Sequence, residues 1–279
     1  MKNILIPTDF SENAWNAIEY ALRFFSKSTC NFYLLHVNTS DVLTCHEDTP
    51  VFDDNTVSSV LKNSSKKHLQ QTIKRINKRP QLNPKHRFYT ILDNNFIINS
   101  IRKQVAEKKI DYIVMGTRGA SGINKLPIGS NTGNVITKVK CTTLVVPENA
   151  KYVNMKEIAF PTDFSFFYPA ETLQPMTDIV ESCYAAVRVL NIKRNGVELN
   201  EDQQKNKAFL DDYFNNNEHS FHFLTQSHIE GAIQEFVKSR DVNLIAMLAK
   251  NLNYFQKILF HPKVPKISYY TDIPFLVLH

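Results

Sequence analysis

The stretch Lys2-Asn-Ile-Leu-Ile-Pro-Thr-Asp-Phe-Ser11 decides the fold, because it recurs as Lys156-Glu-Ile-Ala-Phe-Pro-Thr-Asp-Phe-Ser165 with seven identities in ten. Two copies this far apart are too widely spaced for a solenoid repeat and are typical of a duplicated domain. The chain has 279 residues, enough for two ordinary domains that each bury a core. The repeat therefore predicts two tandem domains, residues 1–150 and residues 151–279.

Each copy starts with an apolar strand and continues as alternating strands and helices. In the first copy, Ser11 is a predicted N-cap, and apolar side chains then recur at helical spacing. The strands lack a polar–apolar alternation, which is typical of parallel strands covered by helices on both faces. The predicted strands are Asn3 to Thr8, Phe32 to Val37, Arg87 to Leu92, Asp111 to Met115 and Thr143 to Val146.

The predicted fold class is therefore α/β, with two tandem Rossmann-like domains. Each is doubly wound around a mainly five-stranded parallel sheet, and a pseudo-two-fold axis relates them. Aligning Asp111 with Asn243 places the final strand Thr143 to Val146 over Phe275 to Leu278. The second copy is then shorter, and the missing stretch is expected opposite the polar segment Asn38 to Ser65.

Glycine is concentrated in one place, since five of the seven glycines lie between Gly116 and Gly133, directly after a predicted strand. Glycine there permits positive φ and close approach of a ligand to the backbone. Gly129-Ser130 stands at the start of a predicted helix, whose N–H groups and dipole favour an anion. The segment lacks the P-loop ending and the Gly-x-Gly-x-x-Gly pattern. A phosphate site and a plain glycine-rich turn are the two interpretations, and the phosphate site is favoured.

The second copy has lost this glycine pattern. Its residues at the four key positions are Leu248, Asn251, His261 and Pro262. Proline has no backbone N–H to offer a phosphate. We therefore predict one phosphate site per chain, in the first copy.

Ligands of parallel sheets lie at the carboxyl ends of the strands, and this rule gathers Asp9, Val37 and Gly116 at one edge. Asp9 has two interpretations. It is a capping or turn-forming acid before the helix, or a ligand of a ribose hydroxyl or an adenine amine. Its recurrence as Asp163, in a copy without the glycines, supports a partly structural role.

These motifs closely resemble those of the universal stress protein family. The resemblance rests on Pro7 to Ser11, Leu34 to Val37, and Gly116-x2-Gly119-x9-Gly129-Ser130, and it covers essentially the whole first copy. It implies ATP as the ligand, with or without Mg²⁺, its adenine at Asp9 and at the Val37 backbone and its phosphates on the glycine segment. The implied binding residues are Pro7, Thr8, Asp9, Val37, Met115, Gly116, Arg118, Gly119, Gly129, Ser130 and Asn131.

Three functions remain open at this point. The favoured one is a regulatory, ATP-binding stress-response protein with a degenerate second copy. The others are a slow ATPase or nucleotidyl transferase, and an interaction module with a vestigial site. Hydrolysis needs an acid that holds a metal near the phosphates, and the segment from Gly116 to Gly133 contains no carboxylate. Enzymatic activity is therefore disfavoured but left open.

The composition suggests a cytoplasmic protein without a membrane partner. No run of 18 apolar residues and no signal-peptide pattern occurs. The net charge is +6, partly from the basic stretch Lys62 to Arg79, which is interpreted as a solvated helix face rather than a nucleic-acid site. Each copy ends in an apolar strand that favours pairing, and the resemblance implies that subunits of the family pair through this strand. The two final strands are therefore expected to pair antiparallel as an internal pseudo-dimer, and a homodimer is a further option.

Overall fold

The structure, a computed structural model, describes residues 1–38, 54–80, 82–117, 129–193, 198–225, 235–251 and 272–279. Within these ranges, the strands form one ten-stranded sheet with helices on both faces. The first half of the chain (residues 1–150) contributes five strands to one side of the sheet. The second half (residues 151–279) contributes the other five.

The first half alternates strands and helices in the predicted order. Its elements are β1 (Lys2–Pro7), α1 (Glu12–Phe24), β2 (Cys30–Val37), α2 (Asp54–Asn77), β3 (His86–Asp93), α3 (Ile97–Lys108), β4 (Tyr112–Gly116), α4 (Ser130–Lys138) and β5 (Thr142–Val146). Each strand agrees with its predicted bounds within two residues. Ser11 caps α1 as predicted, because its side chain accepts a hydrogen bond from the Ala14 N–H.

The second half repeats the strand pattern of the first. Its elements are β6 (Glu157–Pro161), α5 (Ala170–Cys183), β7 (Ala186–Lys193), α6 (Glu201–Tyr213), β8 (His219–Thr225), β9 (Leu244–Leu248) and β10 (Phe275–Leu278). Residues 235–239 are also helical, and a 3-10 turn, Ala249–Asn251, follows β9.

The strand order is β3-β2-β1-β4-β5-β10-β9-β6-β7-β8. From either outer edge toward the centre, each half therefore places its strands in the same order, which is third, second, first, fourth and fifth along its own sequence. All neighbours within a half are parallel. The two halves meet where β5 pairs antiparallel with β10, with Leu144 opposite Leu276. This arrangement confirms the predicted α/β class and joins the two parallel sheets edge to edge.

Helices cover both faces of the sheet, as expected for a doubly wound fold. Ile18 of α1 and Leu69 of α2 belong to a core that also takes in Phe160 of the second half. On the opposite face, α3 and α4 pack on the first half through Ile101 and Val135. Every side chain in these contacts is at most 2% exposed. Helix α4 is also the helix that starts at Gly129-Ser130, so the sheet fixes its position.

The two halves are joined by further contacts as well as by the sheet. Lys2 Nζ donates to Asp178 Oδ2 over 2.7 Å, linking β1 to α5. Asn16 of α1 donates to the carbonyl oxygens of Pro147 and Ala150, at the start of the connection to the second half. Ile136 of α4 lies in a core cluster formed mostly by second-half residues.

The residues that the second half lacks fall partly in a helix. Helix α6 has 13 residues where α2 has 24. The predicted deletion opposite Asn38 to Ser65 therefore removes helical turns. A second difference lies before α5, which starts at Ala170 with Pro169 as its N-cap, well beyond the repeated Ser165. The identical sequence motif thus leads into a helix at once in the first half and into a loop in the second.

Candidate functional site

The carboxyl ends of three adjacent strands form the predicted rim of the first half. Strand β1 lies between β2 and β4, and these strands end at Pro7, Val37 and Gly116. Because parallel strands end at the same edge, residues distant in sequence are brought to one side of the sheet. The rim lies between the start of α1, which follows β1, and the start of α4, which follows β4.

Asp9 is held in a tight turn just after β1. Its Oδ1 accepts hydrogen bonds from the Ser11 N–H at 3.0 Å and from the Ser11 hydroxyl at 2.6 Å. The Phe10 N–H donates to Thr8 Oγ1 at 3.1 Å, and Phe10 has a φ of 65°. A left-handed backbone at a phenylalanine is strained and persists only where its surroundings enforce it. The turn therefore fixes an exposed carboxylate at the rim.

His36 supports this turn from the neighbouring strand, a role that sequence reasoning missed. Its Nδ1 lies 2.8 Å from the Thr8 carbonyl oxygen. Its ring packs on Phe10 with centroids 4.4 Å apart. The clue in the sequence was its position, one residue before the end of a predicted strand beside the Thr8–Asp9 turn. His36 thereby links the two strand ends that the resemblance assigns to the nucleoside.

Gly116 is required by close packing and not by positive φ. A Cβ at this position would lie 2.8 Å from Asn13 Oδ1 and 2.9 Å from Asn13 Cγ. Its φ is outside the left-handed region, so that part of the sequence-based interpretation does not apply here. Any larger residue would have to displace the amide of Asn13, a side chain that is only 9% exposed. Asn13 is a second residue of the rim that the sequence did not reveal.

The start of α4 presents its backbone N–H groups beside Gly116. Gly129 is the N-cap, with φ −66° and ψ 156°, and makes no side-chain capping bond. Thr132 Oγ1 donates to the Gly116 carbonyl at 2.8 Å, and the Gly129 N–H donates to the Thr117 carbonyl. The N–H groups of Ser130 and Asn131 lie in the first turn, where a helix provides no intrahelical acceptor. This geometry suits an anion.

The structure places most of the predicted binding residues at this one edge. Asp9, Gly129, Ser130 and Asn131 are at least partly exposed there. Pro7, Thr8 and Met115 are buried, so the last of these can offer a ligand only its backbone. The predicted residues Arg118 and Gly119 lie outside the described residues.

The second half repeats the first turn almost bond for bond. Asp163 Oδ1 accepts from the Ser165 N–H at 3.0 Å, and Thr162 Oγ1 accepts from the Phe164 N–H at 2.9 Å. Phe164 has a φ of 58°. Asn191 replaces His36, and its amide donates to the Thr162 carbonyl at 3.0 Å. With Pro169 as the N-cap of α5, Asp163 forms a turn and does not cap a helix.

The fourth strand of the second half ends differently. Leu248, the counterpart of Gly116, is 6% exposed and belongs to the core. The chain then enters the 3-10 turn Ala249–Asn251. His261 and Pro262, the counterparts of Gly129 and Ser130, lie outside the described residues. Within the described part, the second half therefore keeps the turn that follows its first strand. Its fourth strand, however, ends in a buried leucine and not in a glycine.

An ionic cluster around the buried Arg188 is specific to the second half. Arg188 of β7 makes two hydrogen bonds to the Glu157 carboxylate, at 2.6 and 2.8 Å, and one to Glu218 at 2.7 Å. The hydrogen bond from Arg188 holds the pKa of Glu157 below its ordinary value. In the first half, the equivalent strand pair carries the stacked rings of Tyr33 and Tyr89, 5.1 Å apart. Both carboxylates are engaged by the same guanidinium, so the cluster gives no separate indication of a ligand.

Some of the basic side chains of helix α2 form ion pairs with acidic side chains of α1. Arg75 forms a two-pronged ion pair with Glu12, and Arg79 pairs with Glu19. The Arg75 guanidinium also lies over the Trp15 ring, 3.8 Å from its centroid. These contacts support the interpretation of α2 as an ordinary helix that packs on its neighbour.

Two further features of the described ranges bear on the class of protein. None of the helices there is both long and apolar enough to cross a membrane. No group of three or more His, Cys, Asp or Glu side chains in those same ranges is arranged to hold a metal ion.

Comparison with known proteins identifies the family. The model of the universal stress protein family matches residues 1–147. Universal stress protein MJ0531 of Methanocaldococcus jannaschii is 27% identical over 150 residues, which cover 54% of this chain and 84% of the relative.

Solved structures extend the likeness in fold to both halves. A universal stress protein from Archaeoglobus fulgidus has a TM-score of 0.69 at 16% identity, covering 99% of this chain and 97% of its own. The protein PA1789 from Pseudomonas aeruginosa, described as functionally unknown, has a TM-score of 0.57 at 12% identity, covering 100% and 92%. At these identities the likeness shows the fold alone. The match of the family model over more than half of the sequence leads to the conclusion that the chain belongs to the universal stress protein family.

Proposed function

We propose that this protein is a cytoplasmic regulatory protein of the stress response that binds one ATP per chain, in its first half. The observation that carries the proposal is the rim of that half. There the Asp9 turn, the glycine packed against Asn13 and the start of α4, whose N-cap is a glycine, lie at the ends of adjacent strands. A carboxylate suits a nucleoside, and the backbone donors of a helix start suit phosphates.

The nucleoside end of the site would be formed by Asp9 and the backbone of Val37. Pro7 and Thr8 would shape the rim beside them. The phosphates would lie on the backbone of Met115, Gly116, Gly129, Ser130 and Asn131, with Arg118 and Gly119 from the glycine segment. An Mg²⁺ ion would enter with the nucleotide, because the glycine segment offers hydroxyl and backbone groups but no carboxylate. The same lack of a carboxylate favours binding and signalling over hydrolysis.

We further propose that the chain is divided near residue 150 into a nucleotide-binding domain and a degenerate partner domain. The symmetric strand order and the antiparallel pairing of β5 with β10 support this division. In this proposal the second half takes the place that a second subunit has in a dimer, so one chain is an internal pseudo-dimer. The loss of the glycines from the second half explains why it would provide structure and not a second site.

The test is to measure which nucleotide the protein binds, and how many. Acid extraction of the purified protein, followed by chromatography, should release an adenine nucleotide. After its removal, calorimetric titration with ATP should saturate at one equivalent per chain. Saturation at two equivalents would mean that the second half also binds, and absence of binding would overturn the proposal.

A matched pair of variants tests the phosphate end. Gly129→Val places a branched side chain at the N-cap of α4, where the phosphates would approach the backbone, and should weaken ATP binding by about tenfold or more. Gly133→Ala changes a residue of the same helix beyond its first turn, and is expected to bind ATP like the wild type. Equal affinities for all three proteins would contradict the phosphate assignment.

A further inference from the structure

Three structural elements meet at the carbonyl and Cα of Gly116, and the known motif residues do not account for this junction. Strand β4 ends at Gly116, Asn13 of α1 packs against its Cα, and Thr132 of α4 donates to its carbonyl. Thr132 is 3% exposed and Asn13 is 9% exposed, so both are set in the protein interior. We call this junction the Asn13–Gly116–Thr132 clasp.

The clasp connects the two ends of the proposed site. Asn13 lies in the first turn of α1, two residues after Ser11, the partner of Asp9 at the nucleoside end. Thr132 lies in the first turn of α4, whose N–H groups would hold the phosphates. A ligand that spans both ends is bound well only if the distance between them is set in advance.

The Thr132 hydrogen bond also removes an unfavourable group from the phosphate end. The Gly116 carbonyl oxygen carries partial negative charge and lies at the end of β4, beside the start of α4. By donating to this oxygen over 2.8 Å, the Thr132 hydroxyl satisfies a lone pair and fixes the orientation of the peptide. The same peptide is held through its other group as well, because the Thr117 N–H donates to the Val146 carbonyl at 3.1 Å.

We propose that Thr132 is a positioning residue for the nucleotide. This inference rests on the proposed function. It holds that the hydrogen bond from Thr132 to Gly116 sets the start of α4 at the distance from the Asp9 turn that ATP requires. Thr132 would not touch the ligand. It would act through the backbone donors of Ser130 and Asn131.

The experiment is titration of the full-length protein with ATP and with adenosine. Thr132→Val keeps the shape of the side chain and removes the hydroxyl, and it should weaken ATP binding by about tenfold. Adenosine lacks phosphates and does not reach α4, so its affinity should change by less than about twofold. Thr132→Ser restores the hydroxyl and should return the affinity for ATP to nearly that of the wild type.

Thr137 of the same helix provides a matched control. Its hydroxyl donates to the Gly133 carbonyl at 2.9 Å within α4, away from the rim. Thr137→Val should therefore leave ATP binding unchanged. The inference is overturned if Thr132→Val binds ATP like the wild type, if Thr137→Val weakens binding equally, or if ATP and adenosine lose affinity together. Absence of ATP binding by the wild type would overturn the proposed function and this inference with it.

A second pair of variants tests the clasp if Thr132→Val does not fold. Gly116→Ala places a Cβ 2.8 Å from Asn13 Oδ1 and should weaken ATP binding, since the amide must move. Adding Asn13→Ala makes room for that Cβ and should recover part of the loss. Unchanged binding by Gly116→Ala would show that the junction tolerates displacement, and would overturn the inference.

Discussion

The two halves of this protein share a turn and differ in what faces it. Both keep Pro-Thr-Asp-Phe-Ser after the first strand, with the same bonds to Thr and Asp side chains and the same left-handed phenylalanine. After the fourth strand, the first half has Gly116 against Asn13, whereas the second has the buried Leu248. The turn is therefore a feature of the fold that both halves share. The glycine at the end of the fourth strand distinguishes the half that carries the proposed site.

The largest expected effect concerns the strand that joins the halves. All four residues of β10 are at most 2% exposed, and they lie between β5 and β9. Deleting residues 275–279 would remove the contact between the two sheets and expose two apolar strands. We expect loss of soluble protein, measured by expression yield and size-exclusion chromatography. Deleting His279 alone keeps the strand and should preserve solubility. A soluble, folded protein without residues 275–279 would show that the halves do not depend on this strand.

The second prediction compares the ionic cluster with the tyrosine stack. Arg188→Ala leaves the carboxylate of Glu157 without its partner and should lower the free energy of unfolding by about 2 kcal/mol at neutral pH. Tyr33→Ala removes a ring stack on the equivalent strand and provides the control. Stability is measured by urea denaturation followed by circular dichroism.

The pH dependence distinguishes these two variants. Because the pKa of Glu157 is lowered in the folded state, its stabilising contribution is present above its ordinary pKa of 4.5 and is lost as the pH falls through the folded-state value. The difference between wild type and Arg188→Ala should therefore shrink as the pH falls below 4.5. The difference for Tyr33→Ala should stay constant. A constant difference for Arg188→Ala would mean that packing, not charge, is its contribution.

The third prediction separates the two aspartates. Asp9→Ala should weaken ATP binding by about tenfold, about 1.4 kcal/mol, while Asp163→Ala should leave it within about twofold of the wild type. Both substitutions remove the same bond to a serine N–H, and Asp9→Ala also removes the bond from the Ser11 hydroxyl, so its loss of stability should be at least as large. Calorimetric titration gives the affinity, and thermal denaturation is the control. Equal losses of affinity would mean that the second half contributes to the site.

The smallest expected effect concerns the two serines. Ser11 caps α1, and Ser11→Ala should cost about 1 kcal/mol. Ser165 precedes a loop, because α5 is capped at Pro169, and Ser165→Ala should cost less than about 0.5 kcal/mol. The midpoints of urea denaturation of the two variants provide the comparison. If Ser165→Ala were the more damaging change, the loop before α5 would depend on its hydroxyl.

Much of the fold could be predicted because the central strands β1, β4, β5, β6, β9 and β10 are short, apolar and largely buried. The bounds of such strands follow from composition, and the antiparallel pairing of Thr143–Val146 with Phe275–Leu278 was expected from two apolar strands together with the resemblance to the universal stress protein family. The start of α5 could not be predicted. In the repeat, Ser165 is at the position of the cap residue Ser11. Phe164 and Tyr168 are buried in the core, however, and the residues between them form a loop and not a helix.

The candidate site was predictable where backbone chemistry selects the residue type. The glycine segment and Asp9 stood out because glycine and an acid directly after apolar strands have few roles, namely turn formation, helix capping or contact with a ligand. His36, Asn13 and Thr132 were missed, since each acts through a contact with a residue distant in sequence. His36 could have been noticed from its position next to a strand end, whereas nothing in the sequence around Asn13 and Thr132 distinguishes them from ordinary helix residues.

The sequence by itself determined that the chain is a tandem α/β protein with one glycine-rich strand end, because hydrophobic patterning and glycine are local properties. Only the tertiary structure decided that Gly116 is needed for contact with Asn13 and that Thr132 fixes its carbonyl. The contact between Asn13 and Gly116 joins residues more than a hundred positions apart in the sequence. The hydrogen bond from Thr132 to Gly116 joins residues on either side of positions 118–128. Packing and hydrogen-bond geometry are set when the sheet brings α1, β4 and α4 together.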